Sequence, residues 1–155
     1  MIRLLRKLGR DQRGNSFVEM AFITPILATL LVGTIDISDA VSTKVKTEQA
    51  AQRAIELAQT ASYPTASAMT SALQTEATNA AGAGSSATAT AWAECDHSTQ
   101  VDFDTGTCST GQSYDRYVSV TVQNTFTPMF GTSLFPGANS DGTVTVKGYA
   151  ALRLQ

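Results

Sequence analysis

The sequence predicts an α+β protein in which a long N-terminal helix carries a small head with an antiparallel sheet of about three strands. Two changes of pattern along the chain lead to this prediction. An apolar run gives way near residue 36 to helical spacing of the apolar residues, and after Gly84 the spacing becomes alternating. The head has about 100 residues, enough for one modest core but not for two domains.

The apolar run covers residues 17–35 and contains one charged residue, Glu19. A helix of this length, at about 1.5 Å per residue, spans roughly 29 Å, close to the hydrocarbon thickness of a bilayer. Five basic residues precede the run, whereas Asp36 and Asp39 follow it, so the N-terminus is expected to stay in the cytoplasm. We therefore expect residues 15–36 to cross a membrane once and residues 37–155 to be exported.

Residues 1–14 form a basic leader that ends at Gly14. An ordinary secretory signal places its small residues after the apolar core, whereas here the small residue precedes it. Cleavage after Gly14 would leave a membrane-held protein that begins at Asn15. It would keep six basic and twelve acidic residues, and this charge argues against nucleic acid as a partner.

Two residues within the apolar run need an explanation. A carboxylate costs about 2.5 to 3.5 kcal/mol at the centre of a membrane helix and less near an end, so Glu19 should have a partner. The α-ammonium of Asn15, one turn away, or that of a neighbouring subunit would serve; the alternative is a side chain that snorkels to the interface. Pro25 cannot donate to the carbonyl of Ala21, so a kink is expected, either as a functional loosening of the helix or as a plain proline kink.

These features carry a family resemblance. The basic leader, Gly14 and a glutamate as fifth residue of the mature chain resemble the class III signal of type IV pilins and pseudopilins. Residues 18–22, followed by Pro25, Gly33 and Asp36, are similar to the TadE-like pseudopilins of the tight-adherence (Tad, or type IVc) pilus system. A strand pattern between residues 117 and 153 also resembles the C-terminal region of that family.

The resemblance implies a structural role in pilus biogenesis and adhesion. A prepilin peptidase would cut between Gly14 and Asn15, and Glu19 would guide subunit register, with Pro25 easing repacking of the helix. The implied partners are that peptidase, the major pilin, other minor pilins, the inner-membrane assembly platform and membrane lipid. Because 119 residues follow the apolar run, a minor pilin fits better than the major subunit.

Two other interpretations stay open. One is a signal-anchored periplasmic binding or adhesion domain that is never cleaved. The other is a pseudopilin of a type II secretion system, which the residues around Glu19 and Pro25 disfavour.

Beyond the membrane the helix should continue to about Thr60, where Tyr63 and Pro64 end it. Its apolar positions are expected to cover the sheet, and they are Ile37, Val41, Val45, Ala51, Ile55 and Ala58. Residues 66–80 suggest a second helix, with a partly ordered linker as the alternative. Alternation predicts strands in residues 87–94, 118–126 and 144–154.

The exported half holds two cysteines, Cys95 and Cys108, which we expect to form a disulfide worth about 3 kcal/mol. The loop between them contains four residues that could bind a metal, namely Asp96, His97, Asp102 and Asp104. Their spacing matches neither a calcium loop nor a zinc site, so a solvated acidic loop is the preferred interpretation and no cofactor is expected.

No catalytic constellation is recognisable. His97 is the only histidine, and no serine or cysteine nucleophile has a base at a known spacing, so an enzyme is not expected. Residues 128–136 are rich in apolar side chains; they either form a partner contact at the tip of the head or, as we favour, fold back to fill its small core.

Overall fold

The computed structural model describes residues 15–129, 131–132 and 135–154, and the side chains of Asn15 and Ser16 are not among what it describes. The leader, with the predicted cleavage residue Gly14, lies outside the described residues. So do Phe130 and Leu134 of the apolar segment at 128–136.

One continuous helix, α1, runs from Asn15 to Thr60 (Asn15–Thr60) with Pro25 inside it. It contains a stretch that is long and apolar enough to cross a membrane, and almost none of that stretch is buried. Three threonine hydroxyls in this half donate to main-chain carbonyls one turn back: Thr24 to Met20, Thr29 to Ile26 and Thr34 to Leu30. These hydroxyls need no water, which suits an apolar environment.

A second helix, α2, spans Ala66–Ala81, so the helix expected there is confirmed and the linker alternative is wrong. The side chain of Thr65 accepts a hydrogen bond from the peptide nitrogen of Ala68 and caps its first turn. At the other end Gly82 has φ 87°, a conformation that favours glycine and stops the helix.

Four antiparallel strands form one sheet: β1 (Ser86–Cys95), β2 (Thr99–Val101), β3 (Tyr114–Phe126) and β4 (Val144–Arg153). Their order across the sheet is β2-β1-β3-β4. The three strands expected from alternation are confirmed. The fourth strand, β2, is too short for alternation to reveal.

Both helices pack on one face of this sheet. That face is built from small and β-branched residues, and its fully buried centre is Val118, Val120 and Val122 of β3 with Leu73 of α2. The buried positions of α1 are mostly alanine: Ala50, Ala51, Ala54, Ile55 and Ala58. The predicted cover of the sheet by α1 is therefore confirmed in its outer part.

The buried face of α1 expected from apolar spacing is wrong in the part of the helix next to the apolar run. Ile37, Val41 and Val45 are 60%, 57% and 43% exposed, whereas Asp36 and Thr47 are buried. Alanine at most of the buried positions allows the helix backbone to come close to the sheet, and larger side chains there would hold it away. The larger apolar residues consequently lie on another face of the helix.

The backbone of α1 comes very close to the sheet at Gly148 of β4. A Cβ at this position would overlap the carbonyl group of Thr47 and would come within 2.6 Å of the peptide nitrogen of Glu48. The obstacle is helix backbone, which cannot rotate away as a flexible side chain can. Lys44 also donates from Nζ to the carbonyl oxygen of Lys147, which fixes the same register.

The predicted disulfide between Cys95 and Cys108 is present. It joins the end of β1 to the segment beyond β2, and Cys95 is buried beside Tyr114 of β3. A closed loop of this size contributes about 3 kcal/mol in the chain-entropy account.

We expect Gly148→Ala to lower the free energy of unfolding by about 2 kcal/mol, because the added methyl group must push α1 away from β4. Thermal unfolding of the full chain in detergent measures the loss. Gly33→Ala is the matched control, since a Cβ there meets nothing within 4 Å. Equal midpoints for the two variants would contradict the close approach.

Candidate functional site

The apolar half of α1 is the part of the chain to which sequence analysis assigned a function. Asn15 is the first residue of the helix, and Glu19 lies four residues later, on the same face. Glu19 is exposed, as are the large side chains around it, from Phe17 at 79% to Leu31 at 65%. The head therefore leaves this half of the helix accessible to lipid or to other helices.

Pro25 lies six residues after Glu19, inside the continuous helix. Proline lacks the N–H that would bond to the carbonyl of Ala21. One residue earlier, the hydroxyl of Thr24 donates to the carbonyl of Met20 at 2.6 Å. The helix thus supplies a side-chain donor in the turn that Pro25 weakens.

Asp36 marks the junction between the free half of α1 and the half that packs on the head. It is 2% exposed, and its Oδ1 accepts a hydrogen bond of 2.8 Å from the peptide nitrogen of Met129. A buried carboxylate is tolerated when donors satisfy it. The hydrogen bond fastens the connection between β3 and β4 to the helix.

This contact corrects the expectations for residues 128–136. Of the described residues in this segment, Met129 does not lie at the tip of the head, because its partner Asp36 directly follows the apolar run. These described residues also fill the core only in part: Pro128 is buried, but Met129 is 71% exposed. Phe135 packs edge to face on Phe126, with ring centroids 5.4 Å apart, at the end of β3.

The disulfide loop lies at the other end of the sheet. Its β1–β2 turn places Asp96 and His97 at φ 49° and 56°, and the peptide nitrogen of Ser98 donates to the carbonyl of Cys95. Positive φ at both central residues is typical of the type I′ turn, whose twist matches a hairpin. The turn holds His97 over the face of the sheet opposite the helices.

The carboxylates of this loop accept hydrogen bonds from main-chain N–H groups, within the loop and outside it. The carboxylate of Asp102 accepts from the peptide nitrogens of Asp104 and Thr105 and from the Thr105 hydroxyl, and these bonds, led by the Thr105 N–H, lower its pKa. Asp104 accepts from the first peptide nitrogen of α2, at Ala66. Within the described part of the chain no group of three or more potential ligands is arranged for a metal ion.

Sequence analysis missed the buried carboxylate of Asp115, which is 1% exposed. It forms an ion pair with Arg153 and lies 2.9 Å from Nδ1 of His97. Nearby, the Trp92 and Tyr117 rings stack with centroids 5.6 Å apart. A charged residue just before the alternating valines of β3 was the available signal, but its partners come from a distant turn and from β4.

An open cleft of about 660 Å³ lies where α1 ends, between that end and the last residues of β4. The guanidinium of Arg116 lines it, 4.9 Å from the Phe103 ring centroid and 5.4 Å from that of Tyr114. Because the cleft is at the far end of α1 from the free apolar half, the two regions are separate sites.

The geometry of the N-terminal helix can be compared with known families. Residues 14–56 match the family model described as TadE-like protein. None of the curated proteins and none of the solved structures searched matches the chain. The matched range begins at the predicted cleavage residue and ends near the end of α1, so it leaves the C-terminal strand pattern untested.

The TadE-like family is a structural, pilin-type family rather than a family of enzymes. The match includes Glu19, Pro25 and Asp36 in one helix whose apolar half the head leaves free. The N-terminal segment of this chain, residues 14–56, is therefore TadE-like, as its sequence predicts.

Proposed function

We propose that this protein is a minor pilin, or pseudopilin, which takes part in the biogenesis of a Tad-type pilus. It is held in the inner membrane by the apolar half of α1, with its N-terminus in the cytoplasm and its head outside. A prepilin peptidase removes the leader after Gly14, and the helix then packs against the helices of other subunits.

The observation that carries the proposal is apolar surface on α1 beyond the end of the apolar run. Ile37, Val41 and Val45 are spaced by four residues, and they extend the exposed apolar surface roughly 15 Å past Ile35. A helix that only anchors a head has no use for such a stripe in water. A helix that packs along its neighbours buries it.

Glu19 supplies the charge that sets the register of that packing. In the membrane its carboxylate needs an opposite charge, and cleavage after Gly14 creates one at the new N-terminus. During assembly the ammonium of a neighbouring subunit meets the same carboxylate. A subunit shifted along its neighbour by one turn would leave the charge unpaired in an apolar interface.

The partners follow from this mechanism. They are the peptidase, the major pilin and other minor pilins, and the membrane platform that extracts the helix from lipid. Pro25 weakens one hydrogen bond of the helix and so eases its repacking on leaving the bilayer.

The first prediction concerns cleavage. The intact mass of the protein recovered from membranes should correspond to a chain that starts at Asn15, and in a host without prepilin peptidase it should correspond to a chain that still starts at Met1. A chain that keeps residues 1–14 in both hosts would instead identify a signal-anchored domain.

The second prediction concerns Glu19. Glu19→Ala should abolish assembly while the head stays folded and the disulfide stays formed, because the carboxylate is far from the head. Electron microscopy of pili and subunit crosslinking measure assembly, and thermal unfolding measures the head. Glu48→Ala is the matched control: Glu48 lies on the same helix, where it pairs with Lys44 at 3.0 Å and is exposed. Normal piliation in the Glu19→Ala strain would contradict the role of Glu19 in setting the register of subunit packing.

The third prediction concerns the apolar stripe. Val41→Asp should block assembly and change the free energy of unfolding of the isolated subunit by less than about 0.5 kcal/mol, because Val41 is exposed in the monomer. Subunit crosslinking in membranes reports the loss. Ser42→Asp, next to it but off the stripe, should assemble normally; the same defect in both variants would show a general effect of charge.

A further inference from the structure

The head reaches down to the level at which the apolar run ends. Asp36 is the first residue after that run and is 2% exposed. Val32, one turn earlier on the same face, is half-buried, whereas the large apolar residues before it are exposed. The cover over α1 thus begins within the last turn of the apolar run.

Three contacts show which end of the sheet lies nearest to the end of the apolar run. Gly148 lies against the backbone of Thr47, and Lys44 donates to the carbonyl of Lys147. Continuing in the same direction, the peptide nitrogen of Met129 donates to Asp36. As the chain is followed back from β4 into the β3–β4 connection, its contacts therefore move down α1 toward the apolar half.

Met129 projects outward at this level. Its main chain is fixed to Asp36 by a hydrogen bond of 2.8 Å, and its neighbour Pro128 is buried, yet its own side chain is 71% exposed. The helix presents Ile35 and Ile37 next to Asp36, and these are 45% and 60% exposed. Exposed apolar side chains of the head and of the helix therefore lie at the same position along α1, next to Asp36.

The lack of charge in the β3–β4 connection also suits a position near the end of the apolar run. The sequence from Thr127 to Ser140 contains no ionisable side chain. Uncharged, partly apolar segments enter the boundary between headgroups and acyl chains without the cost of desolvating a charge. The first carboxylate that follows this segment in the chain is Asp141. Its pKa is lowered by hydrogen bonds from the hydroxyl and peptide nitrogen of Thr143.

We propose that the β3–β4 connection, through Met129, touches the lipid interface and gives the head a second attachment to the bilayer beside α1. This rests on the proposed function, since it requires α1 to span the membrane. The contact holds the sheet upright, with the disulfide loop pointing away from the bilayer. Extraction of a subunit for assembly then has to detach this contact as well as the helix.

Single-tryptophan variants of the full chain test the proposal. The chain has one tryptophan, Trp92, which is replaced by phenylalanine to give a silent background. Leu27→Trp probes the middle of the span, Met129→Trp the proposed contact and Thr110→Trp the exposed disulfide-loop end. Each variant is reconstituted in phosphatidylcholine vesicles that carry bromine either near the headgroup end or near the methyl end of the acyl chains.

The expected pattern is a graded one. The fluorescence of the Leu27→Trp variant is quenched most by the deep bromine. The fluorescence of the Met129→Trp variant is quenched about twofold by the shallow bromine, as for a side chain at the acyl–headgroup boundary. The fluorescence of the Thr110→Trp variant is not quenched. Quenching at position 27 with none at 129 would overturn the second attachment while leaving the anchor in place. Absence of quenching at both would overturn the membrane span, and with it the proposed function.

A second variant tests what holds Met129 at this depth. Adding Asp36→Ala to the Met129→Trp protein removes the acceptor for the peptide nitrogen of residue 129, so shallow quenching should fall toward the level of position 110. Asp39→Ala, exposed on the same helix, should leave it unchanged. Equal quenching in both would overturn the role of Asp36, and intact disulfide formation confirms that the head has folded.

Discussion

The helix α1 is exposed over its first half and packed on the sheet over its second half. The change between the two falls at Asp36. Apart from the helix ends and the carbonyl of Ala21, which Pro25 leaves without its donor, its 46 residues satisfy their own main-chain hydrogen bonds, which lets the first half remain free of the head. The second half packs on the sheet through residues too small to bury much area each. Where the head lies, and which of its ends is near the apolar half, follows from where that packing begins.

Small residues let the helix and the sheet approach closely, but they also bury little apolar area. Alanines of α1 face the valines of β3, and at Gly148 the helix backbone touches the strand. Close approach adds dispersion contacts, but alanine contributes little apolar area, so a core of this kind gains less from burial than one built on leucine and phenylalanine. The disulfide at the far end of the sheet offsets part of that deficit by limiting the unfolded chain.

Two buried carboxylates, Asp36 and Asp115, fix the two ends of the head. The first ties the β3–β4 connection to the helix, and the second ties the β1–β2 turn and the end of β4 to β3. A buried charge that loses its partner is strongly destabilising, so each carboxylate penalises any arrangement in which its segment moves away. Both ends of the sheet are thereby held by polar contacts, and its centre is held by apolar ones.

The sequence by itself determined the apolar run, the position of Glu19 within it, the two helices, the three long strands and the cysteine pair. These rest on local signals: hydropathy over one turn or one strand, a proline, a glycine, a short loop between thiols. The face that α1 turns to the sheet, the place of residues 128–136 and the partners of Asp36 and Asp115 were decided only by the tertiary structure. Alanine, threonine and glycine are nearly neutral in hydropathy, so they do not reveal a buried face, and a carboxylate reveals its burial only when donors distant in sequence reach it.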